Sequence, residues 1–161
     1  MQNKTIKIIK DFLWVGITLI VVLLIFHNSM YPLKQSDLQS GFVLSFLNHL
    51  FSKTGHNIVF TQFMVRKMAH FTEYFLFSIL LTVTLWAIRN SLDGTFFFEL
   101  FLFLAIPVLD ENIQIFYPGR TSNVRDVLID FAGCVVGIGL CRLILRAFPS
   151  GKRNPKHLNR L

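Results

Sequence analysis

Apolar residues along this chain fall into four long runs separated by short polar stretches. The first, Phe12 to Phe26, is nearly pure Leu, Ile and Val. Three lysines precede it, and a turn-like stretch from His27 to Pro32 follows. It resembles a secretion signal, yet no small-x-small cleavage site follows, so it reads as an uncleaved first span. The second run, Met68 to Ile88, has the ~20 residues that a bilayer requires. A hydrophilic turn from Arg89 to Gly94 leads to the third, Phe96 to Leu109, where Pro107 predicts a kink and helical spacing can persist to Phe116. The fourth covers Val127 to Leu145. The pattern predicts an all-α polytopic membrane helix bundle with about four transmembrane helices.

The stretch between the first two runs has its own period. Phe42, Val43, Phe46, Leu47, Leu50 and Phe51 recur at helical spacing, opposite Ser45, Asn48, His49 and Ser52. An amphipathic helix over 37–60, interfacial, re-entrant or packed on the other spans, suits that pattern. Gly55, His56 and Asn57 predict a turn before the chain returns to the membrane.

Composition agrees with this class. Of 161 residues, 53% are hydrophobic, 18 are phenylalanine and only 16% are charged, and mean hydropathy is +0.54. That is too apolar for a soluble domain of this size. The formal charge of +7 invites a nucleic-acid partner, but the cations gather at the two termini and in the Arg142–Arg146 region instead of in a stripe. Tails flanking membrane spans carry this pattern, with the positive side cytoplasmic, and no nucleic acid is expected. The division is a basic cytoplasmic arm (1–11), a membrane domain (12–147) and a basic cytoplasmic tail (148–161). Cys134 and Cys141 lie about 10.5 Å apart along a straight helix, beyond the ~7 Å reach of a disulfide. They read as buried packing residues.

Counting lysine and arginine also sets the orientation. Four crossings put both termini and the Arg89 turn on the cytoplasmic side. Segments 28–66 and 110–126 then face outward, and three charged stretches distant in sequence converge on one membrane face. At about 100° per residue, Arg66, His70 and Glu73 share a helical face, with Tyr74 beside them and Lys67 turned away. Asp110 and Gln114 share a face with Glu111 adjacent, Asp126 and Asp130 are one turn apart, and Arg120 follows a Pro-Gly turn.

Charge at membrane depth is costly, so such groups pair with one another or line a polar cavity. In one reading Arg66, Arg120 and Arg125 neutralise Glu73, Asp110, Glu111 and Asp126 and lock the spans together. In a second, Arg66, Lys67, Glu111, Gln114, Arg120, Arg125, Asp126 and Asp130 form a binding site. The arginines there hold a phosphate or carboxylate bidentately. Glu73, His70 and Asp110 supply acid–base chemistry if the protein is an enzyme. A metal site ranks below both, because H-x-x-E plus D-E matches no specific ligand signature; no metal or cofactor is expected.

Three stretches carry a resemblance. Arg66 to Tyr74 reads R-K-M-A-H-F-T-E-Y, Asp110 to Arg120 reads D-E-N-I-Q-I-F-Y-P-G-R, and Arg125-Asp126 is followed by Asp130, Gly133 and Gly137. In order and spacing these resemble the motifs of the VanZ-like family of bacterial membrane proteins, over about Tyr31 to Leu145. The resemblance implies a cytoplasmic-membrane setting and an association with resistance to the glycopeptide teicoplanin, the phenotype of the family's named founder. It supplies no reaction. Some relatives carry enzyme labels such as phosphotransbutyrylase, but nothing here resembles a phosphate-cradling Gly loop. The expected partners are membrane lipids and an anionic envelope lipid or cell-wall precursor. Gly133 and Gly137 form a small-xxx-small face, extended by Gly139, that suits close helix packing within the chain, with a homodimer as the alternative.

Overall fold

The computed structural model describes residues 2–53 and 59–147, with side chains from Lys4 onward. Five helices account for nearly all of it: α1 (Gln2–Ser29), α2 (Leu33–Lys53), α3 (Gln62–Arg89), α4 (Phe96–Gln114) and α5 (Val124–Ala147). There is no strand among the described residues. The expected turn at Gly55, His56 and Asn57 and the basic tail after residue 147 lie outside them.

Local signals set the helix ends. The Thr61 hydroxyl accepts from the Met64 N–H at 3.3 Å, capping α3. At the other end Asn90 takes the left-handed conformation (φ 56°) and its N–H returns to the Trp86 carbonyl at 2.8 Å. Before α5, the Asn123 side chain accepts from the Arg125 N–H at 3.0 Å. Helix α1 reaches back through Lys4, Lys7 and Lys10, so the basic arm is continuous with the first apolar run.

Helices α1, α3 and α5 are long and apolar enough to cross a membrane. Helix α4 runs unbroken through Pro107 to Gln114 and differs by carrying Glu99, Asp110 and Glu111. All three acids are buried in the bundle, and the exposed positions from Phe96 to Leu109 are all Phe, Leu or Val. Large apolar side chains also cover the outside of α1 and α5, among them Phe12, Leu23, Leu140 and Leu143. Such a surface suits lipid. With no water to leave, the helices associate through packing and polar contacts.

The closest packing joins α3 and α5, the most extensive helix pair. A Cβ at Gly133 would lie 2.5 Å from the Phe71 carbonyl oxygen, and one at Gly137 2.5 Å from that of Phe75. Backbone cannot yield there, so only glycine permits the approach. The face is thus filled by α3 of the same chain. Gly139 meets nothing within 4 Å and is no part of the seam, contrary to the expected extension, because it points off the α3 side. Around this seam Tyr74, Phe77, Leu81, Phe103, Cys134 and Ile138 form the core with Ile25. The Phe77 and Phe103 rings meet edge to face at 5.9 Å. Thr18 and Thr84 hydroxyls join α1 to α3 at 2.9 Å. Both cysteines are free and buried.

Helix α2 is different. It buries none of its residues, packs against α3, and exposes Leu38, Phe42 and Phe46 in one stripe. Asn48, expected on the polar outside, instead pairs with the Phe60 backbone in both directions, at 2.8 and 3.2 Å. That tie holds the far end of α2 to the start of α3.

Candidate functional site

The charged stretches converge at one end of the bundle. Alternating helix directions bring the end of α1, the start of α3, the end of α4 and the start of α5 together. Four contacts fix the assembly. Asn28 donates to Glu73 at 2.8 Å, the Leu33 N–H donates to the Pro118 carbonyl at 3.2 Å, Arg66 pairs with Asp37 at 2.8 Å, and Lys67 pairs with Asp126. The turn after α4 uses Gly119 at φ 77°, a conformation other residues rarely adopt. This directs Arg120 inward, where its Nε donates to the Tyr31 carbonyl at 3.1 Å.

A cavity of about 570 Å³ opens between α2 and α3. Arg66, His70, Glu73 and Arg120 line it together with Asn28 and the small polar groups of α2. Val43, Leu47, Val65 and Met68 supply an apolar part. Among the described residues, the terminal nitrogens of Arg120 make no hydrogen bond. Burial, and then the adjacent Arg66 charge, push the Arg120 guanidinium below its ordinary pKa. An anion would relieve that repulsion. A shallower depression of about 650 Å³ beside Leu33, Leu38 and Pro118 has only Lys34 and Asp37 as charged groups, so the α2–α3 cavity is the stronger candidate.

Behind His70 lies a second layer. Asp110 and Asp130 are buried to 0% and 1% exposure. Gln114 Nε2 bridges Asp110 Oδ2 and Ser29 Oγ, each at 3.4 Å. Neither oxygen of Asp130 has a hydrogen-bond partner, and its Oδ1 lies 3.9 Å from His70 Nδ1. Glu111 Oε2 accepts the Asn123 N–H at 3.0 Å, tying α4 to the cap of α5, while its Oε1 has no partner.

The expected ion-pair scheme is corrected in its partners. Arg66 neutralises Asp37, a residue of α2 that sequence reasoning passed over, and Lys67 takes Asp126. Neither Arg120 nor Arg125 forms a salt bridge among the described residues. Arg125 is exposed in the first turn of α5. It faces away from the cluster because Asp126, about 100° further round the helix, takes the inward position.

At the opposite end Glu99, fully buried, pairs with Arg142, and both reach Thr95. Sequence reasoning missed this cluster, counting Arg142 among the basic residues near the C-terminus and Glu99 within an apolar run. The available signal was the lone acid in that run, which demands a partner.

The family model described as VanZ/LLP1 matches residues 14–145, which covers every group just described. The chain belongs to the VanZ/LLP1 family. It is a membrane protein by this membership and by its three span-length apolar helices. No curated protein and no solved structure matches it. The VanZ/LLP1 match takes in every residue of α2, α3, α4 and α5 that lines the cavity or supplies a buried carboxylate, so the candidate site lies within the family domain.

Proposed function

We propose that this VanZ/LLP1 protein is a multi-pass protein of the bacterial cytoplasmic membrane that binds an anionic cell-envelope component at its outer face. Both termini are then cytoplasmic, as the positive charge near the N-terminus and at the end of α5 favours. The observation that carries the reading is the α2–α3 cavity. It sets the unpaired end of Arg120 beside Arg66 in a polar part that also holds His70 and Glu73, and adds an apolar part made by Val43, Leu47, Val65 and Met68. A charged headgroup with a lipid tail has that two-part chemistry. The exposed stripe of Leu38, Phe42 and Phe46 suits α2 to the outer interface, where such a lipid would enter. An association with teicoplanin resistance fits the same geometry, since glycopeptides of this type act on cell-wall precursors outside the membrane.

An enzymatic reading has narrower support. His70 and Glu73 both line the cavity and could exchange protons with a bound ligand, whereas Asp110 lies behind them.

Two measurements test the proposal. A guanidinium grips phosphate in two places where an ammonium cannot. Native mass spectrometry should therefore find anionic lipid retained by wild type and lost about equally by Arg120→Lys and Arg120→Ala. Equal retention by wild type and Arg120→Lys contradicts the clamp. For orientation, cysteine at Ser122 should react with an impermeant thiol reagent on intact cells and cysteine at Asp93 should not. Labelling of Asp93→Cys from outside contradicts the topology.

A further inference from the structure

The spacing of His70 and Glu73 with the Asp110-Glu111 pair matches no metal-ligand signature, but the fold assembles a different set. His70 from α3, Asp110 from α4 and Asp130 from α5 place one potential ligand atom each within 4.8 Å of one another. We infer that His70, Asp110 and Asp130 form a binding site for a divalent transition-metal cation such as Zn²⁺ or Mn²⁺.

Unmet polar capacity is the first argument. His70 Nδ1 and both Asp130 oxygens are buried without a hydrogen-bond partner, and Asp110 Oδ1 forms none of good geometry, although the Tyr74 and Ser29 hydroxyls stand beside that carboxyl. Native proteins seldom leave such atoms unsatisfied, and a group of them gathered this closely suits a shared ligand. Charge is the second. Two carboxylates buried side by side repel, and no salt bridge to a lysine or arginine reaches either of them among the described residues. A divalent cation cancels two carboxylates, with imidazole as a neutral third donor. Geometry is the third. Ligand atoms around a tetrahedral metal stand about 3.4 Å apart at bonds of about 2.1 Å, so modest side-chain rotation closes the observed cluster. Mixed imidazole and carboxylate donors suit zinc, manganese or iron better than calcium or magnesium.

The surroundings also fit. Asp110 has Gln114 on its second oxygen, the kind of outer contact that orients a ligating carboxylate. His70 also lines the cavity, which gives the ion a way in. Three protein ligands leave at least one position for water or an incoming oxygen. The site does not need the anionic-ligand reading, because its ligands all come from the chain.

The test uses the full-length protein, purified without a polyhistidine tag, stripped with chelator and titrated with Zn²⁺ or Mn²⁺ in the absence of added lipid. Wild type should take up one ion per chain and melt at higher temperature when loaded. His70→Ala and Asp130→Asn should each weaken binding by at least about tenfold, and His49→Ala, on the exposed side of α2, should not. With Co²⁺, Asp130→Cys should add a thiolate-to-metal absorption band absent from wild type. This second readout stands even if another variant fails to fold. Wild type that takes up no stoichiometric ion, uptake abolished by His49→Ala, or Asp130→Asn binding like wild type overturns the site. Lipid retention by Arg120 variants is read separately, so failure of either proposal is visible without the other.

Discussion

Both ends of the helix bundle bury carboxylates, and each end treats them differently. At the Arg89 turn, fully buried Glu99 meets Arg142 and Thr95, and the Arg142 guanidinium also sits over the Phe96 ring at 5.4 Å. One acid has one base, in a setting that needs nothing more to be neutral. At the opposite end Asp110 and Asp130 are as deeply buried, yet no lysine or arginine pairs with them among the described residues. The cations there are turned elsewhere, Arg66 to Asp37, Lys67 to Asp126, and Arg120 to a carbonyl and the cavity. Equal burial with unequal neutralisation separates a fastening from a site. The first holds helices together, and the second leaves polar capacity for the ligands we propose.

The comparison breaks most visibly at the paired end. Glu99→Gln leaves the partly buried Arg142 without its counter-charge, and a loss of up to about 3 kcal/mol is expected, the lower end of what breaking a fully buried pair costs. The double change Glu99→Leu with Arg142→Met removes both charges and should recover most of that loss, because apolar replacement of a complete buried pair is often close to neutral. Chemical or thermal unfolding of the purified variants checks it. A double variant as unstable as the single one would mean that the pair does more than neutralise itself.

A smaller effect sharpens the contrast from the packing side. Gly137→Ala places a methyl 2.5 Å from the Phe75 carbonyl, and Gly133→Ala does the same at Phe71. Either should cost about 1–3 kcal/mol as α5 is forced from α3. Gly139→Ala, with open space around it, should leave the melting temperature unchanged. Since α3 and α5 carry His70 and Asp130, the two damaging variants should also loosen the site, while Gly139→Ala spares it.

Much of this could be read from the chain, and the failures have physical causes. Long apolar runs specify membrane helices by themselves, so α1, α3 and α5 were legible, as was the gathering of charge at one end. The glycine seam was legible too, because Gly133 and Gly137 stand one turn apart on a bulky helix. Pairing was not. Which acid meets which base depends on helix rotation and on contacts between distant segments. Asp37 and Asn48 belong to α2, whose pattern separates an apolar from a polar face without showing what either face meets, and Glu99 is a single acid inside a phenylalanine-rich run. His70, Asp110 and Asp130 come from three helices, and no spacing rule along one chain can display a set assembled that way.

The central claim is that the unpaired carboxylates serve a ligand rather than the fold, and Asp130→Asn tests it most directly. Asparagine keeps the shape of the side chain and removes a buried carboxyl whose oxygens have no hydrogen-bond partner among the described residues. The measurement is the melting temperature of wild type, Asp130→Asn and Glu99→Gln in one detergent with chelator present. This account predicts that Asp130→Asn melts at or above wild type while Glu99→Gln falls well below it. Asp130→Asn falling as far as Glu99→Gln would contradict the account and make both ends fastenings.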